Sequence, residues 1–324
     1  MTNTIKPLSA IAAPALLLCI PCAYAQTYPT KPVRIMVAFA AGGGTDLIGR
    51  MLAQKLSAAW GQQVVVENRA GGGSVIGTEV VARSAPDGYY LLLATTPFTT
   101  NAALLPKLPY DSLQDFAPVS LVVSAPLIVV VHPSLPVRSV KDLVAVARAR
   151  PGQLSFATSG NGGPQHLAGE LFKSMARIDM LHIPYKGGAP AVVDIVGGQV
   201  QVGFSSLLSS LSFVKSGRLR PIAVTSVQRS AIMPNLPTIA ESGYPGYETT
   251  TWWGILVRAG TPPAVISTLN AELARTLNSS DIKERLAAEG AEAVVSSPSA
   301  FATFLQEEIE RVRKLSKFTE IKLD

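Results

Sequence analysis

The sequence predicts an α/β protein of two lobes, each a mainly parallel sheet flanked by helices, joined by two crossing strands. Three observations carry that prediction. Short apolar, β-rich runs alternate with helix-period patterns along the chain, the rhythm of βαβ units. Glycine-rich turns separate several strand candidates from the helices after them. Two longer β-rich stretches, 119–131 and 247–257, are placed to carry the chain from one lobe to the other and back.

Taken in order, residues 33–39 (VRIMVAF) read as a buried strand, followed by the turn AAGGGTD. Leu47, Ile48, Met51, Leu52 and Leu56 then recur at helical spacing up to Trp60-Gly61. Residues 64–66 form a second strand, the glycines of 70–74 lead into a helix carrying Val75, Ile76, Val80 and Val81, and 90–94 form a third strand. Further on, 127–131, 154–157, 180–183, 200–204 and 221–225 are strand-like, while 140–148, 166–175 and 207–214 are helical. From Pro262 the pattern is helical, with 293–295 as one short strand between helices. The C-terminal helices return to the first lobe, giving lobe 1 as 26–125 plus 250–324 and lobe 2 as 126–249.

Residues 1–25 stand apart. Lys6 precedes an apolar run over 10–20, and Ala23-Tyr24-Ala25 fits a small-x-small cleavage site, the layout of a secretory signal peptide. The run is shorter than the roughly 20 residues a bilayer span needs. Leu18 and Pro21 before Cys19 and Cys22 argue against a lipoprotein. Cleavage after Ala25 would remove both cysteines, which suits an oxidising compartment. Thiol catalysis and a disulfide scaffold are thereby excluded.

The whole chain has 324 residues, 48% hydrophobic and 15% charged, which excludes a disordered chain or a coiled coil. Its net charge of +6 comes from scattered basic residues. The densest run, Arg311, Arg313 and Lys314, is mixed with Glu307, Glu308 and Glu310, so it reads as a solvated helix face and not a nucleic-acid surface. A mild positive balance fits steering of small anions.

Chemistry concentrates in the strand-to-helix turns. A helix N-terminus offers unpaired N–H groups and a partial positive charge, and glycine allows close backbone approach. Four such turns occur, at 41–46, 71–74, 159–163 and 186–188, and together they predict an anion cleft at the carboxyl edge of the sheets. None is a nucleotide motif: Leu47 and Ile76 occupy positions where GxGxxG needs glycine, and no GxxxxGK[ST] exists. Of the three histidines, His132 and His182 read as structural, and His166 stands at a helix start. Neither HExxH nor clustered carboxylates support a metal. The sequence around Ser159 lacks the nucleophile-elbow glycines, so an enzyme is not expected. Phe39, Phe98, Tyr185, Trp252 and Trp253 are aromatic candidates for core or pocket; of the two tryptophans, one is expected to face the cleft and the other to pack inward.

The blocks YPTKPVRIMVAFAAGGGTDLIGRMLAQKL, VVVENRAGGGSVIGTEVVARSAPDGYYLLLAT, FATSGNGGPQHLAGELF and IPYKGGAPAVVDIVGGQVQVGF resemble the tripartite tricarboxylate transporter substrate-binding proteins, also called Bug proteins. The similarity runs through the mature chain in the family's order. It implies a type II-like periplasmic binding protein that closes over a small carboxylate like a Venus flytrap. In the family, the carboxylate sits between the first strand-to-helix loop and a helix-opening loop of the second lobe, partly through ordered waters.

Carried onto this chain, the first loop is Phe39, Ala41, Gly42, Gly43, Thr45 and Asp46, and the second is Ser159, Gly160, Gly162, Gly163, Gln165 and His166. Thr95, Thr96, Tyr185, Lys186, Gly187, Gly188 and Ser205 line the rest. Where the family often has Pro-Phe or Pro-Tyr before the loop, this chain has Ala38-Phe39, a change of local shape. The resemblance implies a monomeric, periplasmic protein without cofactor. Its ligand would be a dicarboxylate, an amino acid or an aromatic acid, and its partners the membrane subunits of a transporter. A ligand sensor acting on a signalling receptor is the alternative, and a secreted hydrolase a more distant one.

Overall fold

The computed structural model describes residues 1–2, 28–288 and 290–317. The apolar run and the cleavage site of the expected signal peptide lie outside these residues. Five strands begin or finish the first lobe: β1 (Val33–Val37), β2 (Val64–Asn68), β3 (Tyr90–Ala94), β9 (Thr250–Arg258) and β10 (Glu292–Ala293). The second lobe holds β5 (Ser155–Thr158), β6 (Leu181–Pro184), β7 (Val202–Ser206) and β8 (Arg220–Val224). Strand β4 (Phe116–Val131) belongs to both.

Strand order is β2-β1-β3-β9-β4-β7-β5-β6, with β10 and β8 pairing β4 off this path. The outer strands are parallel: β1 with β2 and β3, β5 with β6 and β7. Every antiparallel pair involves β4, which runs through both lobes, or β9, which begins where the chain has returned to the first lobe. Parallel strands need crossover helices, so their runs are apolar on both faces. Val33, Ile35, Met36 and Val37 accordingly lie fully buried in β1.

The apolar stretch expected as a crossing is a single strand that starts three residues before 119. Its first half pairs β9, down to Ser124 with Trp252, Ala125 with Thr251 and Pro126 with Thr250. From Leu127 onward it pairs β7 and β8. Pro126, which has no N–H to donate, sits where the ladder changes partner. Buried Thr225 ties the two crossing segments together: its Oγ1 donates to Thr249 O at 2.7 Å and accepts from Leu127 N at 2.8 Å.

Ten helices flank the sheets among the described residues: α1 (Gly44–Trp60), α2 (Val75–Ala82), α3 (Pro97–Leu104), α4 (Val140–Ala149), α5 (Pro164–Ala176), α6 (Gly188–Val196), α7 (Leu207–Lys215), α8 (Pro263–Asn278), α9 (Ser280–Ala288) and α10 (Pro298–Leu315). Helices α1 and α5 begin before their first periodic apolar residue, because the caps Gly43 and Gly163 and the Pro at the start of α5 set the helix in advance of its buried stripe. The sequence pattern gave no sign of α3, whose Thr- and Asn-bearing turns are buried along with Phe98. One core gathers Ile35, Leu52, Leu91, Ile255 and Leu273 around the first sheet; another gathers Phe156, Phe172, Phe204 and Tyr247 around the second. No helix among the described residues is long and apolar enough to cross a membrane.

Candidate functional site

Between the lobes lies a cavity of about 30 Å³, room for about two waters. Its walls are the carboxyl ends of strands and the starts of helices. Gly44, Pro164 and Gly188 open α1, α5 and α6; Ser206 caps α7; Thr95 ends the turn before Thr96, the cap of α3. Four helix N-termini, those of α1, α5, α6 and α7, thus converge on one small space. Each contributes about half a unit of positive charge and N–H groups without intrahelical partners. Among the described residues no charged side chain lines the cavity. Thr95 and Ser206 are buried there, and among the described residues the Oγ1 and Oγ of these two have no hydrogen-bond partner. Such an arrangement holds an anion through neutral donors.

In the first loop, Phe39 is fixed by Asn68, whose Nδ2 donates to the Phe39 carbonyl at 3.1 Å. Gly43 and Thr45 face the cavity, whereas Ala41 and Gly42 sit exposed at the loop tip. Gly42 has φ +83°, a left-handed conformation that suits glycine. Asp46 does not face the cavity. It is 2% exposed and turns back beneath the loop, accepting from Gly42 N at 2.8 Å, Arg50 Nε at 2.9 Å and Asn68 Nδ2 at 3.0 Å. Burial works against its charge, yet these three donors outweigh that cost and hold its pKa below the usual carboxylate value.

The second loop repeats the construction. Ser159 and Gln165 line the cavity, and Ser159 Oγ donates to Gln165 Oε1 at 2.6 Å. Gly162, at φ +67°, donates its N–H to His166 Nδ1 at 3.1 Å. His166 is therefore buried behind the loop and not in the cavity. Its ring stacks on His182 with centroids 3.9 Å apart and planes within 8°. His182 Nε2 in turn meets Thr158 Oγ1 at 2.6 Å. Burial, the adjacent His182 ring and Lys173 lower His166 to about 3; burial and Lys173 lower His182 to about 4. Both rings are neutral near pH 7.

Of the remaining expected residues, Thr95 and Gly188 line this cavity. Gly160, Tyr185 and Lys186 line an adjoining one of about 190 Å³ that shares Phe39 and Ser159. Gly163 and Gly187 act as helix caps. Thr96 and Ser205 are buried but off the cavity: the Thr96 carbonyl accepts from Thr99 and Thr100, and the next residue, Ser206, takes the place expected of Ser205.

Sequence reasoning held Gly44 only as part of the turn 41–46 and passed over Pro164, Ser206, Ser209 and Thr251. The turn into α7 is Ser-rich and not Gly-rich, so a search for glycine turns misses it; the strand end at 204–206 followed by a helix was the available signal. The paired tryptophans divide as expected. Trp253 lines the cavity and donates Nε1 to Thr45 Oγ1 at 3.0 Å, while Trp252 packs against Phe301 and Phe304. Among the described residues no group of three or more His, Cys, Asp or Glu is placed to hold a metal.

Two α/β lobes linked by two crossing strands, with helix starts facing a shared cleft, define a receptor of the two-lobed solute-binding class. The chain belongs to the tripartite tricarboxylate transporter family of receptors, whose model matches residues 48–321. It is 40% identical over 301 residues to BugT of Bordetella pertussis, covering 92% of both chains. An R. palustris protein solved with adipate is similar in structure, with TM-score 0.89, 37% identity and coverage of 91% of this chain and 99% of that one. MatC from Rhodopseudomonas palustris with bound malate gives TM-score 0.84 at 28% identity, covering 89% and 99%. A TctC solute-binding protein from Polaromonas, without ligand, has nearly the same identity, 26%, and coverage of 90% and 99%, but a TM-score of 0.64. These relatives are receptors of solutes and not enzymes.

Proposed function

We propose that the protein captures a small organic carboxylate in the periplasm by closure of its two lobes and delivers it to the membrane subunits of a tripartite tricarboxylate-type transporter. The observation that carries this reading is the convergence of four helix N-termini, without a charged side chain, on one cavity between the lobes. A charge-assisted hydrogen bond contributes about 1.5–3 kcal/mol. A few of them, less the costs of closure, support micromolar affinity, about −8 kcal/mol. The carboxylates bound by MatC and by the adipate-bound R. palustris protein agree with this ligand class.

Closure has its own support. The lobes touch through backbone, with Ala40 N donating to Lys186 O at 3.0 Å. A cavity of about 30 Å³ admits a ligand only when the lobes part. The higher similarity to the malate-bound relative than to the ligand-free one, at nearly equal identity, fits a closed arrangement of mobile lobes. Lobe 1 is 26–125 with 250–324 and lobe 2 is 126–249, the mature monomer beginning after cleavage at Ala25.

Within the site, the first loop and the second supply amides, while Asp46 and His166 hold those loops in place. No covalent step is part of the function: Ser159 Oγ is engaged by Gln165, and His166 accepts from Gly162, so the two do not form a nucleophile and base. The test is calorimetric titration and small-angle scattering with a panel of mono- and dicarboxylates. Micromolar binding with a smaller radius of gyration is expected. Silence toward every carboxylate, with a response to sugars or nucleotides, overturns the reading.

A further inference from the structure

A larger cavity, of about 390 Å³, lies behind the crossing segments. Its floor includes Pro126 and Thr250, paired residues at the point where the chain passes between the lobes. Successive side chains of an extended strand point to opposite faces. Thr251 lines the ligand cavity, so Thr250 opens away from it and into this one. Lobe 1 supplies one wall, with Ala287 of α9 and Glu292 of β10; lobe 2 supplies the other, with Arg229 and Ala231 of the loop after β8. The lobes meet beside it. A Cβ added to Gly290 would lie 2.6 Å from Leu207 Cδ1 and 3.2 Å from Ile232 Cδ1, so the lack of a side chain there lets lobe 1 approach lobe 2 this closely. Leu207 follows Ser206, the cap of α7 that lines the ligand cavity.

Both walls are braced. Arg229 Nε donates to the two oxygens of Glu241, at 3.1 and 2.8 Å, and its Nη1 donates to Pro234 O at 3.2 Å. Glu241 also accepts from Thr238 N at 2.9 Å, and Ser226 Oγ donates to Gln228 O at 2.6 Å at the start of the loop. On the lobe 1 side, β10 is paired to β4, Glu292 with Ser124, and Gly290 N donates to Ala287 O at 3.0 Å. A group placed between two braced walls displaces the lobes before it displaces either wall. Lobes joined by two short crossing segments turn about a line through those segments. A movement that closes the space on one face of that line opens the space on the other.

We infer that this rear cavity is the counterweight of the ligand cleft: it widens as the cleft closes and narrows as the cleft opens, so that a group filling it holds the protein in its ligand-binding form. The inference rests on the closure reading above and adds a second place from which closure is set. A filler touches neither the ligand nor the residues around it, and acts only on the population of closed protein. The apparent dissociation constant is the intrinsic one divided by the fraction of empty protein that is closed. Every ligand should therefore gain by the same factor, up to about 10–100-fold where about 1–10% of the empty protein is closed.

Residues 26–324 contain no cysteine, so one thiol placed in a wall can carry adducts of graded size on the same folded chain. Ala231→Cys and Ala287→Cys, exposed positions on opposite walls, are each treated with methyl methanethiosulfonate and with benzyl methanethiosulfonate. The thiolate attacks the sulfenyl sulfur of the reagent, forming a mixed disulfide and releasing methanesulfinate. Ala58→Cys, exposed on α1 and lining neither cavity, is the control. Each protein is titrated by calorimetry with the carboxylates that bind the wild type, and its radius of gyration is measured with and without them. The methyl adducts should change affinity by less than about twofold. The benzyl adduct on either wall should tighten every carboxylate by about three- to tenfold, leave their order unchanged and make the empty protein more compact. The labelled control should match the wild type. Where the wild type compacts on binding, unchanged or weakened binding in either benzyl adduct, or equal tightening in the control, overturns the rear-cavity inference and leaves closure standing. A wild type that binds without compaction removes the closure reading and this inference with it.

Discussion

In lobe 1 the amide of Gly42 donates to Asp46, four residues on; in lobe 2 the amide of Gly162 donates to His166, also four residues on. The two loops align further. Gly43 and Gly163 cap their helices, and Thr45 and Gln165 are the side chains turned to the cavity. The backbone task is the same, but the acceptors differ in kind. Asp46 is an ion, its charge balanced by Arg50 and its other oxygen hydrogen-bonded by Asn68. His166 is an uncharged ring, kept so by burial and by its stacking on His182. An anion site tolerates either solution, because neither leaves a net negative charge facing the ligand. The lobes should nevertheless respond differently to substitution and to acid.

The largest effect is expected where the two loops are most alike. Proline fixes φ near −65° and has no N–H, so Gly42→Pro and Gly162→Pro each demand a backbone the loop does not have and delete the bond to its anchor. Losing the geometry of two or so charge-assisted bonds at about 1.5–3 kcal/mol each predicts a loss of about 100-fold or more in carboxylate affinity. Far-UV circular dichroism should remain that of the wild type. Titration of both variants checks this, and an unchanged affinity in either removes that loop from the site.

Exchanging the anchors separates the lobes. His166→Asn places an oxygen near the position of Nδ1, so Gly162 keeps an acceptor while the ring stack is lost. His166→Leu removes the acceptor and strands a buried N–H, at a cost of about 1–3 kcal/mol. Binding should survive in the Asn variant and fall by about tenfold or more in the Leu variant. Asp46→Asn has the opposite character: one oxygen must serve three donors and Arg50 loses its counter-charge, so thermal stability drops by about 1–3 kcal/mol. Parallel melting and titration curves read both effects. Equal behaviour of the two His166 variants would show that the ring matters for packing alone.

These contrasts also mark how far the sequence could be read. The strand-helix rhythm and the glycines at 42–44, 160–163 and 187–188 located the cleft, because a strand must end and a helix begin there whatever the ligand. Asp46 and His166 were expected to face the ligand, and both instead point back beneath their loops. They lie three residues beyond their caps, where a helical side chain leans toward the N-terminal turn. The equivalence of an Asp and a His is invisible in residue types, since it resides in a shared acceptor position. Ser206, Ser209 and Thr251 escaped because no glycine stands in the turn into α7 or next to Thr251, and their role follows only from which face of β9 and which end of β7 meets the cavity.

A smaller effect concerns how the cavity-facing side chains are steadied. Thr45 is held from the crossing strand by Trp253, whereas Gln165 is held within its own loop by Ser159. Trp253→Phe keeps the ring and removes one neutral hydrogen bond, worth about 0.5–1.5 kcal/mol, so affinity should fall by about two- to tenfold. Ser159→Ala frees the Gln165 carbonyl oxygen and should give a loss of similar size. If Trp253→Phe also slows lobe closure in stopped-flow fluorescence and Ser159→Ala does not, the first loop is the one coupled to the hinge.

The finest discrimination comes from acid, where stability and affinity should part. His166 and His182 titrate near 3 and 4 in the folded chain, below the 6.5 of an unfolded histidine. A depressed histidine contributes stability that is fully present above pH 6.5 and is lost as the pH falls from there toward the folded values, because the unfolded chain takes up the protons. The depressed carboxylate of Asp46 contributes stability present above its unfolded value of about 3.8 and lost only below it. Between pH 7 and 5, then, lobe 2 should lose on the order of 1–3 kcal/mol while lobe 1 loses none by this route. In the folded protein both rings are still neutral at pH 5, so Gly162 keeps its acceptor and carboxylate affinity should change by less than about twofold. Urea titrations at pH 7 and 5, run beside calorimetry at the same pH values, check the separation. His182→Phe should flatten part of the stability loss, since it removes one of the two titrating rings and preserves a stacking surface for His166. An affinity that falls in step with stability between pH 7 and 5 would mean instead that the second loop opens as the rings protonate, and the neutral-anchor account of lobe 2 would be wrong.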